Sequence, residues 1–195
     1  GKFRFKVTED ERLEFKQSVF APNISKIGID PKEYPEKYTK LCQARSRDLL
    51  QDVFSSVCAF LNTKGGTIWL GVNDGDGKII GVSNVKKREL FQRDGKPISD
   101  REIIDAIDLS IAEGLKNHFR DYMSNIGRKY HVTPDGQYLY AITVEPTYPA
   151  EVYMIHKGTD IPFVRVGSSC TPYKWPAFNR YAKKRGDKAP RKKKS

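Results

Sequence analysis

Residues 58–77 read Cys58-Ala59-Phe60-Leu61-Asn62-Thr63-Lys64-Gly65-Gly66-Thr67-Ile68-Trp69-Leu70-Gly71-Val72-Asn73-Asp74-Gly75-Asp76-Gly77. Four kinds of signal follow one another here. An apolar stripe ends, a pair of glycines breaks it, a short apolar run follows, and an Asp-Gly-Asp-Gly turn closes the stretch. Upstream, Leu50, Val53, Phe54, Val57 and Leu61 recur at three- and four-residue steps, which predicts a helix over Leu41–Leu61 with one buried face. Asn62 and Gly65-Gly66 suit a chain leaving that helix, where left-handed backbone angles make a β-carbon costly. Thr67–Val72 then reads as a strand, and Lys78–Val82 as its partner across a hairpin. Gly71, on an otherwise apolar strand, marks a place where another backbone or a ligand comes close.

Working outward, Leu13–Phe15 is a short strand, followed by a loop from Ala21 to about Tyr38 in which Pro22, Pro31 and Pro35 break regular structure. Ser99-Asp100-Arg101-Glu102 is a capping box. The helix after it buries Ile103, Ile104, Ile107, Ile111 and Leu115 and runs to about Phe119. Lys129–Val132, Gln137–Val144, Val152–His156 and Pro162–Val166 read as strands separated by turn residues. The order predicts an α+β fold, a mixed and mostly antiparallel β-sheet packed against two long helices. One domain over residues 1–182 is expected, with a loop insertion at about 21–40 and a disordered basic tail at 183–195.

Composition narrows the function classes. The chain has 195 residues, 38% of them hydrophobic, enough to bury a core. No run of about 18 apolar residues is present, so no membrane helix is expected. No secretory h-region follows the N-terminus, and Cys42, Cys58 and Cys170 have no metal-type spacing, so a reduced cytoplasmic or nuclear setting is expected. Gly1 in first position is what a piece of a longer protein would carry. The formal charge of +11 is concentrated at the end, where residues 183–195 hold eight basic residues and a single acid, Asp187. Such a stretch binds phosphate backbones, serves as a nuclear address, or simply solubilises. Trp175 is expected to anchor the chain end before the tail departs.

The strand Glu11-Arg12-Leu13-Glu14-Phe15-Lys16, the 58–77 stretch with Ile80-Gly81-Val82 after it, and Phe163-Val164-Arg165-Val166-Gly167-Ser168-Ser169 together resemble the Schlafen AlbA domain pattern. The resemblance covers roughly residues 9 to 173. It implies nucleic acid as partner, RNA (tRNA, single-stranded or structured) or DNA. In the family's nucleases it implies a three-carboxylate site, which falls on Glu9, Glu14 and Asp74 as catalytic and metal-binding residues for Mg²⁺ or Mn²⁺, with Lys16 beside them. A departure is Asn73, where the family hairpin often carries a first aspartate. The chain lacks G-x-x-x-x-G-K-[ST], so ATP is not expected.

The other reading is a lobe that binds without cutting. Lys86, Lys87, Arg88, Arg165, Lys183, Lys184, Arg185, Lys192, Lys193 and Lys194 are its nucleic-acid-binding candidates, with Arg45 and Arg47 in support. Among the aromatics, Tyr138, Tyr140, Tyr148 and Tyr153 either stack on bases or pack into the domain. A single lobe would complete its groove as a homodimer or with a paralogous Schlafen-like partner.

Overall fold

The structure is a computed structural model that describes residues 4, 9–17, 35–82, 92–93, 96–97, 99–147, 151–156 and 158–186. Its centre is a sheet in which β1 (Leu13–Lys16) lies parallel to β2 (Gly66–Leu70). A parallel neighbour needs a crossover, and α1 (Pro35–Leu61) lies between the two strands in sequence. The helix begins at Pro35, inside the stretch read as loop from the sequence. Proline at the first helical position sacrifices no intrahelical bond and presets the backbone angle, so it starts this helix rather than breaking it.

After two short strands, β3 (Gln92–Arg93) and β4 (Lys96–Pro97), comes α2 (Asp100–Phe119). Its capping box forms as predicted, Ser99 and Glu102 exchanging side-chain and backbone bonds, and its buried face is Ile103, Ile104, Ile107, Ile111, Leu115 and Phe119. A 3₁₀ turn at Arg120–Asn125 leads into β5 (Ile126–Val132), which pairs antiparallel with β6 (Tyr138–Val144), itself antiparallel to β2. The sheet order is therefore β1-β2-β6-β5. Two hairpins follow, β7 (Met154–His156) with β8 (Thr159–Ile161), and β9 (Phe163–Val166) with β10 (Ser169–Pro172).

A third helix, α3 (Trp175–Gly186), joins the two long ones. Lys183, Lys184 and Arg185 are thus helical, not the start of a disordered tail. Phe178 and Ala182 are buried, so the apolar spacing inside this basic stretch gives the helix an inner face. The hairpin partner expected over Lys78–Val82 forms only isolated bridges, Val72 with Ile79 and Lys78 with Arg4.

Strand alternation splits the core in two. Ile68, Leu70, Tyr140, Ile142 and Val144 face α1 and α2 in the main cluster. On the opposite side Phe15 and Leu139 pack with Val72 and Ile79 from the turn region. Gly71, at φ +91°, would place a β-carbon 2.8 Å from the Val82 amide nitrogen, the close backbone approach its sequence position suggested.

The helix exit depends on Asn62, which is fully buried. Its amide nitrogen donates to the carbonyls of Val152 (2.6 Å) and Phe163 (3.1 Å), and its oxygen accepts from the Val152 amide (3.0 Å). The end of α1 is thereby tied to two chain segments about a hundred residues away. Replacing Asn62 with Ala removes three hydrogen bonds from these buried groups, the Val152 carbonyl keeping only the Cys58 thiol, and a loss of about 2–4 kcal/mol is expected by urea denaturation. Asn117→Ala, at an exposed position on α2, serves as control; equal effects at both positions would refute the clamp.

Candidate functional site

Glu14 and Lys16 alternate along edge strand β1 with Leu13 and Phe15, level with Ile68 and Leu70 on β2. That register turns them to the side of the sheet that α1 covers. Glu14 is 5% exposed, and Arg165 on β9, which pairs with it, is 6% exposed. The guanidinium also donates to the carbonyls of Asp10 (2.8 Å) and Leu13 (2.9 Å) and lies 5.2 Å from the Phe60 ring centre. The second Glu14 oxygen takes the Lys16 ammonium at 2.5 Å. Glu9 folds back along the strand and accepts the Phe15 amide at 2.6 Å.

The electrostatics follow from this packing. Burial raises the Glu9 pKa above the usual 4.5; the Phe15 hydrogen bond opposes the shift and the like charge of Glu14 adds to it. For Lys16, burial alone would favour loss of the proton, but the hydrogen bond and charge of Glu14, with Asp52 and Glu9, outweigh it and raise its pKa. Asp52, an exposed α1 residue, is thus a member of this cluster that sequence reasoning missed. Its helical neighbours gave no sign that β1 would pass nearby. Cys170 lies against the same group, its thiol pushed up to about 12 by burial and then by Glu14; Cys58, fully buried, is likewise pushed up to about 12. Both thiols stay protonated at neutral pH, which fits small buried groups rather than nucleophiles.

The structure therefore brings Glu9, Glu14 and Lys16 together, but not Asp74. Asp74 is exposed in the Asn73–Gly77 turn, where Asn73 accepts the Gly75 amide (2.8 Å) and Asp76 the Lys78 amide (3.0 Å). Among the described residues no group of three or more His, Cys, Asp or Glu is arranged to hold a metal ion. Asp74 is thus exposed on the turn while Glu14 is already paired with two cations.

The basic candidates also divide. Arg165 is an internal ion-pair partner, not a surface contact. Arg185 turns inward and donates to the carbonyls of Leu61 (3.5 Å) and Thr63 at the end of α1, where a cation suits the helix dipole. Lys183 and Lys184 are exposed. Lys86, Lys87, Arg88, Lys192, Lys193, Lys194 and Tyr148 lie outside the described residues, as does the Arg45 side chain. Tyr140 is buried, its hydroxyl donating to Asp108 at 2.6 Å, while Tyr153 is 45% exposed. On the far side of the sheet an open cleft of about 510 Å³ runs over Thr67, Gly127 and Thr143, with Arg12 and Lys64 at its rim.

The family model for Schlafen, AlbA_2 matches residues 9–174. No curated protein matches the chain. Among solved structures, the DIP2311 protein from Corynebacterium diphtheriae is similar at 20% identity and a TM-score of 0.46 over 88% of this chain. The chain spans 23% of that protein's length.

Two outcomes follow from the carboxylates. Glu14→Ala leaves the Arg165 guanidinium buried without its counter-ion, and a cost of about 3–5 kcal/mol is expected in chemical denaturation; a cost below about 1 kcal/mol would mean that water reaches the pair. Glu9 has a folded pKa above its unfolded value, so its ionisation weakens the fold as pH rises from about 4.5 through the raised value. Gln at this position keeps the oxygen that accepts the Phe15 amide. The stability of Glu9→Gln relative to the parent should therefore improve between pH 4 and pH 7, and a difference that stays flat with pH would rule this out.

Proposed function

Because this chain belongs to the Schlafen AlbA_2 family, we propose that it is a nucleic-acid-binding lobe that takes RNA in preference to DNA and completes its groove with a second copy or a related Schlafen-like chain. Family membership supports a nucleic-acid-related function. The observation that carries the binding reading is the double pairing of Glu14. Lys16 and Arg165 occupy both oxygens of Glu14, so this carboxylate is met by cations of the domain itself. The surface cations of α3 are left to meet phosphates.

A second reading is favoured by one specific observation, the convergence of Glu9 and Glu14 beside Lys16. In that reading the domain is an endoribonuclease that uses Mg²⁺ or Mn²⁺ at Glu9, Glu14 and Asp74. It requires the third carboxylate to be brought to the pocket, by movement of the Asn73–Gly77 turn or by the partner chain.

The two are separated by incubating labelled tRNA and single-stranded RNA with the protein in Mg²⁺, Mn²⁺ or EDTA, alongside Glu9→Gln and Asp74→Asn. These two variants leave the Glu14–Arg165 pair intact, so they test chemistry without removing a buried counter-ion. A binding lobe retains RNA, loses it steeply as salt is raised, and cuts nothing in any metal. Metal-dependent cleavage that both variants abolish while RNA is still bound would replace the binding reading with the nuclease one.

A further inference from the structure

Helix α3 carries no acidic residue between Trp175 and Gly186. Its inner side is fixed to the domain by buried Phe178 and Ala182, by the Tyr181 hydroxyl on the Asn62 carbonyl (2.8 Å) and by Arg185 on the end of α1. Its outer side presents Asn179, Arg180, Lys183 and Lys184, all exposed. Residues four apart on a helix lie one above another, so Trp175, Asn179 and Lys183 form a straight ridge about 12 Å long. Arg180 flanks it. At the start of the ridge Trp175 meets Tyr153 of the segment before β7, ring centres 5.6 Å apart and nearly edge-on, and the two side chains remain 41% and 45% exposed.

An exposed aromatic pair leading into a row of cations on a rigid helix has a chemistry of its own. Every nucleobase offers a π-face to an aromatic ring, and the phosphates that follow it need positive charge. A duplex hides those faces within its stack. Resting on the nucleic-acid reading above, we propose that Tyr153, Trp175, Asn179, Arg180 and Lys183 form a track for an unpaired nucleic-acid strand. Trp175 takes a base, Asn179 bonds to a base edge or sugar, and Arg180 and Lys183 take the phosphates. The track lies on α3 and the segment before β7 and uses none of the residues of the Glu9–Glu14 pocket.

Trp69 and Trp175 are the two tryptophans of the chain, so Trp69→Phe leaves Trp175 as sole emitter. In that background, single-stranded RNA and DNA of one sequence and the matching RNA duplex are titrated into the full chain, reading emission and the anisotropy of end-labelled strands. Quenching of Trp175 by the single strands and much less by duplex is expected, and the ratio of RNA to DNA affinity identifies the sugar preferred. Trp175→Ala should weaken binding about tenfold with an unchanged salt slope. Lys183→Glu and Arg180→Glu, at exposed positions that do not threaten the fold, should weaken it and lower the slope. Binding that persists with no quenching and full affinity in all three variants would overturn the track and leave the nucleic-acid reading standing. Equal quenching by duplex would also overturn it, and no binding of any strand would remove both.

Discussion

The buried ion pair between Glu14 and Arg165 is the constraint on which the motif-bearing half of the molecule depends. β1 is only four residues long and sits at a sheet edge, held by a single neighbour. Arg165 reaches it from β9 and grips it at three places, the Glu14 carboxylate and the carbonyls of Asp10 and Leu13. A hydrophobic pair of the same volume could hold β1 as firmly, because removing two charges from water offsets much of their attraction. What the ion pair adds is selection. A one-residue slip of β1 would bring Leu13 or Phe15 to the place of Glu14 and leave a buried guanidinium unmatched, so the register is fixed by a large penalty for error rather than a large reward.

A second polar hub stands at the exit of α1. Asn62 ties that point to Val152 and Phe163, the Leu61 carbonyl accepts the Thr147 amide at 2.9 Å, and Tyr181 and Arg185 reach the same turn from α3. The two hubs are linked through the β9 segment, which supplies both Phe163 and Arg165. The late hairpins and α3 are therefore not appendages. The segments before β7 and at β9 give carbonyls to the Asn62 amide, and α3 donates to the carbonyls that the end of α1 leaves open, so together they close the domain over the helix exit.

This division explains what could be read from the sequence. The α2 stripe, its capping box, the α1 stripe and the turn at Asn73–Gly77 are local patterns, and each appears where the periodicity placed it. Pro35 carries an ambiguous signal, because the same residue that breaks a helix interior suits its first turn. In α3 the spacing of Trp175, Phe178 and Ala182 carries the helical signal, but from residue 183 onward the density of lysine and arginine resembles a disordered tail. The roles of Asn62, Asp52 and Arg165 had no local signal. Each follows from partners brought near by the fold, and a side chain bound across 151 residues leaves no trace in its own neighbourhood. Arg165 shows the cost most clearly, since a basic residue in a motif-like strand looks the same whether it meets a phosphate or a buried glutamate.

Two populations of cations stand out among the described residues. Lys16, Arg165 and Arg185 are consumed inside the domain by a carboxylate or by helix-end carbonyls. Arg180, Lys183 and Lys184 stand on a rigid helix with no carboxylate of their own element beside them. Formal charge counts both alike, but only the second population can release counterions when a polyanion arrives. The Glu14 carboxylate of the β1 motif is thus met inside the domain, whereas α3 presents exposed cations and no acid of its own.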